Sequence, residues 1–335
     1  MASAKWYGLG AGLTLGLLLH GGAPARGQRA ALPPAHRAPT AGVPCTDVAF
    51  SPDGKYLAAA RHRQVLLLDA TAGRTIAVLS GHAGPLTSVA FRPDGRVIAA
   101  GGGVAGQSAE IRLWDVAGRS VIRVLKGAHT DRVQGLAWSP DGRTLAAASY
   151  DRLVSLCDTE SGRVRTLKDH TDAVYAVAFS PDGARLATAS GDRTVKVWEP
   201  ATGRRLYTLG DATAELYCVA YSPDGRTLAA GGADRSLRIW NVTPGAGSLR
   251  RSAFAHDQAV LRVRFAPDGR RIFTTGEDRS LKEWGAETLA EQAAYPGHPD
   301  WPLGLAVSPD GKAVALGSHA GTVTLRRTQD GKIVW

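Results

Sequence analysis

The sequence predicts an all-β fold, a seven-bladed propeller in which each blade is four antiparallel strands, and three features of the chain carry that expectation. The first is a repeat. Pro-Asp-Gly occurs seven times, starting at Pro52, Pro93, Pro140, Pro181, Pro223, Pro267 and Pro309, at intervals of 41, 47, 41, 42, 44 and 42 residues. A period in the low forties has to be explained before any local motif. The second is the setting of each copy between short apolar runs, as with Ala176-Val177-Ala178-Phe179 before Pro181 and Leu186-Ala187-Thr188-Ala189 after Gly183. The third is a further pair of runs behind each hairpin, such as Thr194–Trp198 and Leu206–Leu209.

Each element follows from its residues. Proline presets φ for the second position of a β-turn, and glycine accepts the left-handed position that closes it, so Pro-Asp-Gly joins two antiparallel strands. The third strand and the fourth are joined by a Thr-Gly or Ser-Gly turn, as at Thr202-Gly203 and Ser161-Gly162. Composition agrees. Of 335 residues 44% are apolar and 21% charged, which excludes wholesale disorder and collagen-like structure. Three cysteines exclude a disulfide-stapled scaffold.

Ahead of the repeats, residues 1–25 read as a signal peptide. Lys5 is the only charge before Arg26, Trp6 to Leu19 is a largely apolar run of 14 residues, and Ala23-Pro24-Ala25 supplies small residues for cleavage. That run is shorter than the roughly 20 residues a spanning helix needs. The expectation is export to the periplasm or beyond, the alternative being an uncleaved membrane anchor. Residues 26–42, rich in Pro, Ala and Arg, read as a linker or as a strand that crosses over to complete the last blade; residues 43–335 form the propeller. Arginine supplies most of the 40 basic residues, and with abundant Ala and Gly it points to a GC-rich bacterial genome.

Gly81-His82 and Gly297-His298 recur in related form as Ala128-His129, Asp169-His170 and Ala255-His256, each His lying eleven residues before a turn proline. Third strands end in Trp114-Asp115, Trp198-Glu199, Trp240-Asn241 and Trp284-Gly285, with Cys157-Asp158 and Leu68-Asp69 as weaker versions. In these features the chain resembles the WD40-repeat proteins from about Val43 to Trp335. The resemblance implies a hydrogen-bonded tetrad of His, Ser or Thr, Asp and Trp bracing each blade. By position it is complete twice: His170, Thr188, Asp192, Trp198, and His256, Thr274, Asp278, Trp284. The chemistry is apt, since a carboxylate accepts from imidazole, a hydroxyl both donates and accepts, and indole only donates. A repeated set of this kind suits a brace and not a unique catalytic triad.

Other blades depart from the pattern. Blade three has Ala147 and Cys157 at the hydroxyl and Trp positions, and blade five has Ala212 in place of His. Blade seven has Ala320 and Arg326 at the Asp and Trp positions. Blade two carries about four extra residues, since His82 and Trp114 are 32 apart where intact blades have 28. They fall near Gly101–Gly106, whose G-x-G-x-x-G pattern is read as a flexible hairpin loop because no helix follows it. Ring closure is open between the linker and a short fourth strand at Gly331–Trp335.

No metal-ligand spacing is present, no cofactor is expected, and the reading is non-enzymatic. The net charge of +10 is spread through the repeats without an aromatic-lined stripe, which argues against nucleic acid. Two function classes remain: a scaffold for a protein partner, as a monomer or in a hetero-complex, which the resemblance implies, and a propeller with a ligand, metal or catalytic site at its central channel. His-bearing connections and Asp-bearing hairpins share one end of each blade, and residues just after the His enter the innermost strand. The candidate partner-binding rim is therefore Arg132, Gln134, Tyr150, Tyr175, Glu215, Tyr217 and Trp301.

Overall fold

Apolar runs flanking each Pro-Asp-Gly become paired strands in the computed structural model, which describes residues 42–296 and 298–335. Blade four shows the plan: Val174–Phe179, Leu186–Ser190, Val195–Glu199 and Arg204–Leu209, each antiparallel to the next. Among the described residues six blades have four strands, and the seventh has three, Pro302–Val307, Ala313–Ser318 and Val323–Arg327. The signal-peptide and linker readings, and Gly297, lie outside the described residues. Among those residues no helix is long and apolar enough to cross a membrane.

Glycine has a defined task in the repeat turn. All seven turn glycines have φ between 69° and 72°, a region in which a side chain is strained. The serine before the proline, where present, donates to the turn aspartate at 2.5–2.7 Å in five blades. In blade two Arg92 takes over, pairing with Asp94 at 2.7 Å. The turns also touch one another. Each turn glycine faces the proline of the preceding blade, Gly95 facing Pro52 and Gly183 facing Pro140, and the series closes with Gly54 against Pro309.

There is no single core. Buried apolar side chains fall into seven clusters, one per blade-to-blade interface. Each draws on the faces of two neighbouring sheets, so a blade cannot bury its apolar surface alone. The brace tryptophans fill these seams: Trp198 packs with blade-three residues Leu156 and Leu167, and Trp284 with Leu237 and Ile239 of blade five.

The ring closes where Cys45, Val48, Leu57 and Leu68 of blade one pack on Ala306, Ala315 and Leu325 of blade seven. The C-terminal residues complete this seam. Val334 donates to Leu325 O at 2.7 Å, Leu325 donates to Trp335 O at 2.9 Å, and Trp335 Nε1 donates to Ala70 O of blade one at 3.2 Å. Of the two closures the sequence left open, Gly331–Trp335 thus lies along the outer edge, although only as a single bridge, Arg326 to Ile333.

One expectation is corrected. The glycines of blade two are not a flexible loop. Val97–Val104 and Ser108–Asp115 pair without interruption to Val104 opposite Ser108, so the extra residues lengthen a hairpin. Gly102 and Gly103 are required there because a Cβ would lie 2.0 Å from Pro85 O or Ser108 O.

Candidate functional site

At one end of each blade, the connection entering the innermost strand meets the hairpin between the second and third strands. In blade four this brings His170 Nδ1 to 2.7 Å from Asp192 and His170 Nε2 to 2.7 Å from the Thr188 hydroxyl, which also accepts from Trp198 Nε1 at 2.9 Å. The proton pattern follows from the donor inventory. Indole can only donate, so the Thr188 hydroxyl donates onward to Nε2, and Nδ1–H donates to the carboxylate. Burial alone would raise the Asp192 carboxyl, but the His170 and Thr194 hydrogen bonds outweigh it and hold the group well below its usual range. Blade six repeats the arrangement, with His256 3.0 Å from Asp278 and 2.8 Å from Thr274, and Trp284 donating to Thr274 at 2.8 Å. There too burial is outweighed, and Asp278 is held down at about 2.

Three blades reach the same end with residues that position alone did not reveal. In blade three, Ser155 stands directly across the strand pair from Ala147 and supplies the missing hydroxyl, 2.8 Å from His129 Nε2; Cys157 Sγ lies 3.8 Å from it, in place of the indole. In blade five, Trp240 donates to Asp211 at 2.6 Å, and Asp234 pairs with Arg238 at 2.7 Å where the others have imidazole. In blade two, Ala100 leaves no hydroxyl, so Trp114 donates directly to His82 Nε2 at 3.2 Å, while Glu110 stands 3.3 Å from Nδ1. Burial dominates and pushes His82 down to about 4, against the opposing pull of Glu110.

Blade seven is built differently. His298 Nδ1 donates to Asp300 O at 2.7 Å, and the buried Asp300 carboxylate faces His319 at 3.5 Å. No role for His319 was legible from spacing, because its partner comes from a connection and not from the usual hairpin position.

Imidazole, carboxylate and hydroxyl together invite a catalytic reading. Thr188, Thr274 and Ser155 are each 0% exposed, however, so these hydroxyls cannot meet a substrate. The sets hold strands together.

The predicted rim residues divide into two groups. Tyr150, Tyr175 and Tyr217, from blades three, four and five, stand in a continuous edge-to-face series, with ring centroids 5.6 and 5.1 Å apart. The Arg132 guanidinium lies 4.9 Å from the Tyr150 ring centre, and the Gln134 amide, turned so that its oxygen faces the guanidinium, accepts from Arg132 Nε at 2.9 Å. Glu215, immediately before Leu216–Tyr221, lies close enough that its charge acts on both Tyr175 and Tyr217. Burial is the main reason both phenols are pushed up, beyond the physiological range. All six residues are half-buried. Trp301 stands apart in blade seven, edge-on to His319 at 5.7 Å.

A ring of seven small sheets, five of them (blades two to six) strapped at one end by a buried polar brace, defines the class of repeat propellers. The chain belongs to the WD40 family. The WD domain, G-beta repeat model matches residues 32–69, 73–115, 119–158, 161–199, 203–241 and 247–285. Among curated relatives, the probable cytosolic iron-sulfur protein assembly protein Ciao1 of Culex quinquefasciatus is 45% identical over 60 residues, 17% of this chain and 18% of that protein. Pre-mRNA-processing factor 19 of Bos taurus and of Mus musculus is 28% identical over 131 residues, 39% of this chain and 25% of theirs. The chain thus spans at most a quarter of the length of these relatives.

Proposed function

We propose that this protein is a non-catalytic scaffold that presents the face bearing Arg132, Tyr150, Tyr175 and Tyr217 to a protein partner. The observation that carries the reading is the tyrosine series. Three half-buried rings from three separate blades meet on one face, backed by a stacked guanidinium. Aromatic and Arg side chains on a rigid platform are the usual anchors of interfaces, because they bury much area at little entropic cost. The names of the relatives, an assembly protein and a processing factor, agree with a working life among other proteins. Trp301 belongs to this proposal as an outlying contact. We infer further that the protein is exported, on the strength of Lys5, the apolar run to Leu19 and Ala23-Pro24-Ala25; its composition supports a bacterial source.

Affinity capture from envelope extracts identifies the partner, and Tyr175→Ala and Tyr217→Ala then test the face. Each substitution is expected to weaken binding about 30-fold or more, the scale of a hot spot of ~2 kcal/mol. If both variants keep the native melting curve and the native affinity, the site lies elsewhere. Intact-mass measurement tests export: a native product that retains Met1 to Ala25 in a soluble cytoplasmic fraction ends that reading.

A further inference from the structure

The inside of the ring holds a second feature, independent of the tyrosine face. Register defines equivalent positions on the innermost strands, with Val48, Val89, Leu136, Val177, Val219, Val263 and Leu305 at one level. One residue later the blades carry Ala49, Ala90, Ala137, Ala178, Ala220, Arg264 and Ala306, so six are alanine and one is arginine. One residue earlier, where small or acidic residues stand in the other blades, blade six again has arginine, Arg262.

Arg262 reaches toward blade one, and Arg264 lies close enough to Asp47 of that blade for its charge to act. Arg262 Nη2 donates to Thr46 O of blade one at 3.2 Å. Blade seven stands between blades six and one, and at this level it carries only Gly304, so Arg262 reaches its acceptor across the inside of the ring. Its Nη1 donates to Leu261 O at 3.0 Å, and Arg264 Nη1 donates to Val263 O at 2.9 Å. Every acceptor is a backbone carbonyl. Among the described residues no carboxylate lies within 4.0 Å of either guanidinium.

The nearby acid is already engaged. Asp47 Oδ1 accepts from Val48 N at 3.0 Å, and Oδ2 accepts from the Ser88 hydroxyl and Val89 N, both at 3.0 Å. Asp47 does act on Arg264 at a distance, yet burial and the like charge of Arg262 lower the Arg264 guanidinium from its ordinary value. At these two levels the described innermost strands therefore carry two guanidiniums against one carboxylate, with more N–H donors than these bonds use.

We propose that Arg262 and Arg264 form a binding site inside the ring for a small oxyanion of the phosphate or sulfate class. Two planar forks can each grip a pair of oxygens, and the anion supplies the charge that the protein withholds. Removing Arg264 gives blade six the alanine its six counterparts carry, so the fold tolerates the change.

The test is a melting and calorimetric titration of the whole protein with inorganic phosphate, against chloride at constant ionic strength. Wild type is expected to show a saturable rise in melting temperature, matched by sulfate and not by acetate. Arg264→Ala is expected to weaken phosphate binding at least about tenfold, the scale of losing charged hydrogen bonds. Arg264→Lys, which keeps charge but not the fork, falls between the two, and the exposed Arg193→Ala binds as wild type. The proposal is overturned if wild type shows no saturable response beyond chloride. It is equally overturned if Arg264→Ala responds as wild type does, which places phosphate on the outer basic surface, or if acetate binds as well as phosphate.

Discussion

Blades four and seven start from one repeat and are held by different forces. In blade four each brace group finds a partner, and the indole of Trp198 is both a hydrogen-bond donor and the filler of the seam with blade three. In blade seven, His298 Nε2, Asp300 Oδ2, His319 Nδ1 and Arg326 Nε are buried without a hydrogen-bond partner among the described residues. The 3.5 Å approach of His319 to Asp300 is not a formed hydrogen bond. What blade seven lacks in internal bracing is supplied by its neighbour, through the seam with blade one and the Trp335 bond to Ala70. An internal repeat carries its own brace, and a terminal repeat can lean on ring closure.

Truncation of the two tryptophans breaks the comparison most sharply. Trp198→Ala should destabilise by about 3–5 kcal/mol, the range for deleting a buried aromatic. Trp335→Ala, which removes a half-buried terminal indole, should cost about 1–2 kcal/mol. Urea melts of both variants measure the difference, and equal losses would show that closure matters as much as a brace.

Acid should separate the blades in order. His82 and His298 are pushed down by burial, so each binds fewer protons folded than unfolded, and stability falls as pH drops below 6.5. For His82 the loss continues to about pH 4 and is on the order of 3 kcal/mol. Asp278 is also depressed, but its contribution is intact above 3.8 and is lost only as pH falls toward about 2. Melting temperature against pH should therefore decline between pH 6.5 and 4, and His82→Gln should flatten that decline.

Blade three tests whether the hydroxyl matters or only its position. Ser155→Ala leaves His129 Nε2 buried without a partner and should cost about 1–3 kcal/mol. Restoring a hydroxyl from the opposite strand with Ala147→Ser should recover part of the loss in the double variant, read by the same melts.

The smallest effect concerns backbone strain. Arg152, Arg193, Arg235 and Arg279, each directly after a hairpin aspartate, have φ of 71°, 68°, 64° and 62°. Arg193→Gly relieves a left-handed side-chain clash and should raise stability by up to about 1 kcal/mol. Arg193→Ala keeps the Cβ and should stay within about 0.5 kcal/mol.

The repeat period, the turn chemistry and the two complete braces were legible in the sequence because each depends on fixed spacing along the chain. His170 and Asp192 are 22 residues apart, as are His256 and Asp278, and a four-strand meander of constant length returns such pairs to one end of the blade. Substitutes were not legible. Ser155 replaces a residue on the strand beside it, and Asp211 a neighbour one place along, so a search at fixed spacing passes over both.

The sequence by itself determined that seven similar hairpins would form and where most of their polar straps would lie, since turns and braces are local. Only the tertiary structure decided how the ring closes, which tyrosines meet, and that Arg262 reaches blade one. Those contacts join segments from different blades, Arg262 and Thr46 standing 216 residues apart. The physical reason is that a strand pattern fixes which face a side chain takes, while the partner on that face is set by the curvature of the closed ring.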